Sequence, residues 1–217
     1  MSIARRASAE ALGTAFLLAA VVGSGIMGER LAGGNENLAL LANSVATGGA
    51  LIALILAFSR HSGAHLNPVV TLALALRGEF AKRAIAPYLA AQCIGAVLGV
   101  IAAHAMFDVP LLQLSDKVRF GPAQWWSETV AAFGLVFVVL SCARDGAPVV
   151  ALAVGAYITA AYWFTASTSF ANPAVTLARG LTATFAGIGI ANVPAFVLAQ
   201  AVGAALAVLA DRGLRPS

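Results

Sequence analysis

The sequence predicts an all-α membrane protein: six transmembrane helices plus two re-entrant half-helices, arranged as an inverted repeat. Three observations carry this. Of 217 residues, 60% are hydrophobic and only 10% are charged, against about 25% charged in a soluble domain. So few charges cannot cover a water-facing surface, so lipid must cover most of it. Six apolar stretches, at 8–28, 38–59, 84–106, 125–143, 147–165 and 191–210, are each near the length that crosses ~30 Å of hydrocarbon as a helix. Two Asn-Pro pairs, Asn67-Pro68 and Asn172-Pro173, open apolar stretches too short to cross.

In chain order, Ser2 to Ala9 is a short basic start, and the apolar run behind it is long enough to span, so no cleavable leader is expected. The second and fifth spans are each followed by a short apolar stretch, Val69 to Leu76 and Val175 to Leu181. Each reads as a half-helix, because non-helical backbone at membrane depth is tolerated only where protein or a water-filled cavity surrounds it. The longest connection runs from Phe107 to Gln124.

The two halves repeat. His65-Leu66-Asn67-Pro68-Val69-Val70-Thr71-Leu72-Ala73 matches Phe170-Ala171-Asn172-Pro173-Ala174-Val175-Thr176-Leu177-Ala178. Ala91-Gln92-Cys93-Ile94-Gly95-Ala96 matches Ala199-Gln200-Ala201-Val202-Gly203-Ala204, and Glu10 matches Glu128. Three spans per half is an odd number, so the second half enters from the opposite face. The chain therefore reads as one domain over 1–217, with repeat one at about 8–106 and repeat two at about 125–211.

Charge sets the expected orientation. With both termini cytoplasmic, the inside carries Arg5, Arg6, Arg60, Arg77, Lys82, Arg83, Arg144, Arg212 and Arg215, and the outside Arg30, Lys117, Arg119 and Arg179. Nine against four favours that arrangement. The net charge of +4 is spread between apolar segments, which does not read as a nucleic-acid footprint. Cys93 and Cys142 lie within apolar segments and read as small buried hydrophobes, not as a disulfide or a metal site. No cofactor is expected. No nucleophile, base and orienting group recur at useful spacing, so the chain is not expected to be an enzyme.

An Asn-Pro pair has a physical use at a half-helix start. Proline loses no needed hydrogen bond in the first turn, and asparagine caps the N-terminus while part of its amide faces outward. Two such helices entering from opposite faces bring their positive ends together near the midplane. That arrangement admits neutral molecules and repels protons and cations.

The Ser62-Gly63-Ala64-His65-Leu66-Asn67-Pro68-Val69-Val70-Thr71 run resembles the first signature loop of the aquaporin and aquaglyceroporin family, and Asn172-Pro173-Ala174 resembles the second. The resemblance covers essentially the whole chain. It implies a right-handed helix bundle, a homotetramer with one pore per subunit, and Glu10 and Glu128 bracing the two re-entrant loops from inside. A solvated, interfacial Glu10 is the alternative. Small glycines, among them Gly95, Gly155 and Gly203, fit close helix crossings. His65 lines the cytoplasmic half of the pore in the family's pattern or packs within its loop, and His61 reads as a surface histidine.

The sequence departs from the pattern twice. Val69 stands where the family has Ala. More consequentially, Val175 follows the second motif, where the family nearly always has an Arg that walls the selectivity filter. Carried over by spacing, the other filter positions are Thr47, Ala160 and Ser169, with Ala160 open to a shift of one turn and Phe170 as the alternative to Ser169. A ring of Thr, Ala, Ser and Val implies a wide filter without a fixed charge. Arg179, one turn beyond Val175, is the alternative source of charge, though the half-helix is expected to carry it away from the constriction.

The expected function is a passive channel for small neutral solutes in the inner (plasma) membrane. Its solutes would be glycerol, urea, water and, by similarity to bacterial arsenical-permeable members with the same valine, metalloid hydroxides such as arsenous acid. The alternatives are an ordinary water and glycerol channel, a sealed member of the fold, and an ion-coupled secondary transporter, which shares inverted repeats and broken helices.

Overall fold

The computed structural model describes residues 1–214; Arg215, one of the residues counted on the inner side, lies outside them. Among the described residues, six helices are long and apolar enough to cross a membrane. Helix α1 spans Ile3–Leu31, α2 Glu36–Ser62, α4 Ile85–Met106, α5 Pro122–Cys142, α6 Ala147–Phe164 and α8 Val193–Leu214. The short helices α3 (Pro68–Leu76) and α7 (Pro173–Arg179) follow α2 and α6. The chain thus reads span, span, half-helix, span, twice over.

Local chemistry sets the ends. Asn35 caps α2 by accepting from the amides of Asn37 and Leu38, and Gly63, at φ 95°, closes it in a left-handed turn that glycine adopts without steric penalty. Both half-helices begin earlier than the apolar pattern suggests, because Asn67 and Asn172 are the caps and each following proline is the first helical residue. Helix α7 also stops at Arg179, two residues before Leu181.

Helix α1 packs on α4 and α5 on α8, while α2 lies against both α1 and α6. Glycine permits the closest crossings. A Cβ on Gly95 would fall on the Ala11 carbonyl oxygen, and one on Gly203 on the Thr129 carbonyl oxygen. These are equivalent contacts in the two halves. Gly48 and Gly155 bring α2 and α6 together in the same way.

The core runs through the middle of the bundle, from Leu18, Val22 and Ile26 of α1 to Ala131 and Leu135 of α5 and Ala174 and Ala178 of α7. Large apolar side chains such as Leu12, Phe16, Val45, Leu98 and Leu206 point outward. In water they would form an exposed apolar belt; in a bilayer they contact hydrocarbon. Cys93 and Cys142 are free thiols, half-buried rather than fully enclosed. The long connection after α4 does not stay at the surface. Its Gln113 and Ser115 amides donate to the carbonyls of Leu181 and Gly180, and Gly189 donates back to Lys117. It therefore folds over the end of α7.

Candidate pore and the paired Asn-Pro loops

Each re-entrant loop hangs on one buried carboxylate. Glu10, with no exposed surface, accepts from Ser62 Oγ (2.6 Å), the amides of His65 (3.0 Å) and Leu66 (2.7 Å), and Gln92 Nε2 (2.7 Å). Glu128, equally buried, accepts from the amides of Phe170 and Ala171 (both 2.9 Å) and from Gln200 Nε2 (2.6 Å). Gln92 and Gln200 each reach on to a threonine, Thr71 or Thr176, whose hydroxyl donates to the carbonyl of Asn67 or Asn172. The interfacial alternative for Glu10 does not hold, because this carboxylate is dry and surrounded by donors.

The backbone explains why carboxylates are needed there. Ala64, Leu66, Ser169 and Ala171 have φ of 49° to 50°, a region that disfavours side chains and stores roughly 1–3 kcal/mol each. The turn aims consecutive amides inward, where the two oxygens of one carboxyl group accept from both.

The two motifs meet and tie to one another. Asn67 Oδ1 caps α3 through the Val69 amide (3.0 Å), and Asn172 Oδ1 caps α7 through the amides of Ala174 (3.0 Å) and Val175 (3.3 Å). Asn67 Nδ2 donates to the Ala171 carbonyl and Asn172 Nδ2 to the Leu66 carbonyl, both at 2.8 Å. One N–H of each amide is thereby committed to the opposite loop, which leaves the other for a solute. Pro68, Pro173, Val69 and Ala174 sit at the helix starts, and Val69 and Ala174 are buried.

A cavity of about 90 Å³ runs past this junction. Its lining is a set of helical stripes: Leu17 and Val21 of α1, Thr47, Leu51 and Ile55 of α2, Leu135 and Val139 of α5, and Val150, Val154, Ile158 and Tyr162 of α6. The half-helices contribute Asn67, Val70 and Leu74 on one side and Asn172, Val175 and Arg179 on the other.

Of the filter positions expected from spacing, Thr47, Ser169 and Val175 line this cavity, as does Phe170, so both alternatives at that loop position are present. Ala160 does not; it is exposed on the outer face of α6. The lining residues of α6 recur every fourth position, and Ala160 lies two residues from Ile158 and from Tyr162, about 200° around the helix. Tyr162 takes that wall instead, with its hydroxyl 3.2 Å from Thr47 Oγ1. The ring is therefore not made of four small side chains.

Arg179 departs further from expectation. It is 2% exposed and lines the cavity. Its guanidinium carbon lies 3.4 Å from the Phe170 ring centroid, and Nε donates to the Ala186 carbonyl. On the other side of the junction, His65 places Nδ1 3.0 Å from Thr71 Oγ1 and lines the cavity, while His61 is exposed at the end of α2. In the covering connection, Arg119 donates to the carbonyls of Gly187 (3.0 Å) and Ser167 (3.2 Å). Burial pushes that guanidinium below its ordinary pKa, and the charge of Glu128 opposes the shift.

Six crossing helices, two half-helices meeting cap to cap and a cavity threaded past both caps define a membrane channel with paired re-entrant loops. The chain belongs to the major intrinsic protein family, whose description matches residues 1–149. It is 54% identical over 212 residues to the aquaglyceroporin AqpS of Rhizobium meliloti (strain 1021), spanning 98% of this chain and 91% of that one. It is 32% identical to the probable aquaporin AqpM of Archaeoglobus fulgidus, over 95% of each. The X-ray structure of the aquaglyceroporin from Plasmodium falciparum shares the fold, with a TM-score of 0.74 at 20% identity over 96% of this chain and 95% of that one. Proteins of this family are channels rather than enzymes.

Proposed function

We propose that this chain is a passive channel for small uncharged hydroxylated solutes, metalloid hydroxides such as arsenous acid as well as glycerol, urea and water. The observation that carries the reading is Val175. It lines the cavity in the first turn of α7, where a short apolar side chain takes up less of the cross-section than a long cationic one would. On the same measure as the 90 Å³ cavity, one water needs roughly 10–15 Å³, so the lumen has room for about six to nine waters along its length. The free amide N–H of Asn67 and of Asn172 would donate to solute hydroxyls, and the positive ends of α3 and α7 would oppose proton passage. The relatives' names support an aquaglyceroporin-type channel; the metalloid solute is this reading's own extension.

The lysine and arginine distribution supports a reading with both termini on the cytoplasmic side of the inner membrane. The apolar belt would be shared between lipid and three further copies in a homotetramer, each copy keeping its own cavity.

Proteoliposomes of the purified chain test the reading by stopped-flow. Glycerol and arsenous acid should both enter faster than through empty liposomes, without saturation and with a low activation energy. Val175→Arg should slow both by about tenfold while sparing water more, because the added guanidinium narrows the passage. Water flux with neither solute admitted sinks the proposal, and saturable flux that follows an ion gradient points to the transporter alternative.

A further inference from the structure

The two half-helices present matching stripes to the cavity, and the stripes differ at one end. Asn67, Val70 and Leu74 line one side and Asn172, Val175 and Arg179 the other, at the same spacing. The internal repeat thus pairs Leu74 with Arg179: an apolar side chain on one half occupies the place of a cation on the other. Nothing in helix capping requires this, since both half-helices end in one to two turns of ordinary backbone.

An arginine at this depth is expensive unless it is compensated. Among the described residues no carboxylate makes an ion pair with Arg179. Glu128 lies in the same region, but its oxygens are occupied by the amides of Phe170 and Ala171 and by Gln200. What Arg179 has is the Ala186 carbonyl on Nε and the face of Phe170, the ring that also carries Arg119 at 5.0 Å on its guanidinium carbon. Those contacts hold the group in place without neutralising it. Two other polar groups of this wall, Thr47 Oγ1 and Tyr162 OH, are paired with one another. A guanidinium held by neutral contacts, with no carboxylate bonded to it, therefore faces the cavity.

We propose that Arg179 is the charge-selecting residue of this pore. Val175 and Arg179 then divide two tasks: the valine sets width, and the arginine, about 6 Å further along α7, sets charge. The division would let a lumen opened at Val175 exclude small cations. The inference rests on the channel reading above.

The test uses the full chain in proteoliposomes, with glycerol uptake and sodium leak measured on the same preparations. Wild type should take up glycerol and hold sodium out. Arg179→Gln should keep glycerol uptake within about threefold and raise sodium leak about tenfold or more, because a unit charge a few ångströms from the path no longer repels the ion. Arg179→Lys should stay tight. Arg179→His should leak at pH 8 and seal as the pH falls below about 6.5, where imidazole becomes charged; a purely structural arginine gives no such profile. If Gln disrupts insertion, the histidine variant carries the test by itself. Sodium exclusion unchanged in Arg179→Gln and pH-independent in Arg179→His overturns the inference and leaves the channel reading intact. No glycerol uptake by wild type overturns the channel reading itself.

Discussion

Asn67 and Asn172 hold each other's loops: each asparagine amide donates at 2.8 Å to the carbonyl immediately before the other's position, Ala171 for Asn67 and Leu66 for Asn172. With Oδ1 of each committed to its own helix cap, the pair is at once two caps and one cross-link. The junction of the two halves is therefore tied twice without a covalent link, which keeps the two half-helices in register along the cavity.

Removing one tie should be felt in both halves. Asn172→Ala deletes the cap of α7, worth about 1 kcal/mol, and leaves the buried Leu66 carbonyl without its donor, worth about 1–3 kcal/mol more. The expected outcome is a lowered thermal unfolding midpoint in detergent together with a loss of solute selectivity. An unchanged midpoint would show that the cross-link contributes nothing to the fold.

The bracing carboxylates should be less replaceable than the asparagines. Glu128→Gln keeps size but turns one acceptor into a donor that faces the Phe170 or Ala171 amide, or Gln200 Nε2. At least one amide of a left-handed turn is then unsatisfied, at about 1–3 kcal/mol, before the lost charge assistance is counted. Glu10→Gln should behave alike, since it serves the His65 and Leu66 amides in the same way. Melting of both variants, alongside Glu79→Gln as a partly exposed control, checks this; equal midpoints for Glu128→Gln and wild type would refute it.

Much of this architecture is legible in the residues. The six spans follow from apolar length, and both ends of α1 and of α2 lie a few residues outside their apolar runs because polar caps such as Ser2 and Asn35 sit beyond the hydrocarbon. The equivalence of the two loops is visible as matched residues around Asn67 and Asn172 before any coordinates. Two features are not. Helix α6 is apolar on every side, so no polar stripe marks which face looks inward, and a position counted back from Asn172 lands on Ala160 when the connecting segment shifts the phase. Arg179 falls at the right helical spacing from Asn172 and Val175 to face the lumen, but sequence cannot show that α7 ends there and lets the side chain settle against Phe170. The aligned contrast of Leu74 with Arg179 is the signal that was available.

The close crossings should tolerate no side chain. Gly203→Val would drive β-branched carbons into the Thr129 carbonyl and the Phe133 amide, both backbone groups of α5 that cannot rotate away. Overpacking of this kind costs about 1–3 kcal/mol even where a core can adjust, and a fixed helix backbone adjusts less. Low yield and a lowered melting point are expected, with Gly213→Val, where a Cβ meets nothing within 4 Å, as the neutral control. Comparable yields for the two variants would show that α5 and α8 separate without penalty.

Tyr162 and Ala160 give the sharpest contrast, because they differ by only two positions on one helix. Tyr162 is 3% exposed, lines the cavity and meets Thr47 through its hydroxyl, whereas Ala160 faces outward. Tyr162→Ala removes the bulkiest side chain that α6 brings to the lumen. It should raise uptake of a solute larger than glycerol, such as a four-carbon polyol, by about fivefold or more, since passage is set by lumen diameter and lining donors. It should also lower stability by about 3–5 kcal/mol, the usual loss when a large aromatic is truncated in a packed interior. Tyr162→Phe keeps the ring and removes only the pairing with Thr47, so width and polyol exclusion should persist. Ala160→Leu adds volume where hydrocarbon or a neighbouring copy makes contact, and uptake of glycerol should match wild type. If Ala160→Leu blocks glycerol while Tyr162→Ala leaves polyol uptake unchanged, α6 is turned by about half a circle from the phase described, and the lumen wall must be reassigned accordingly.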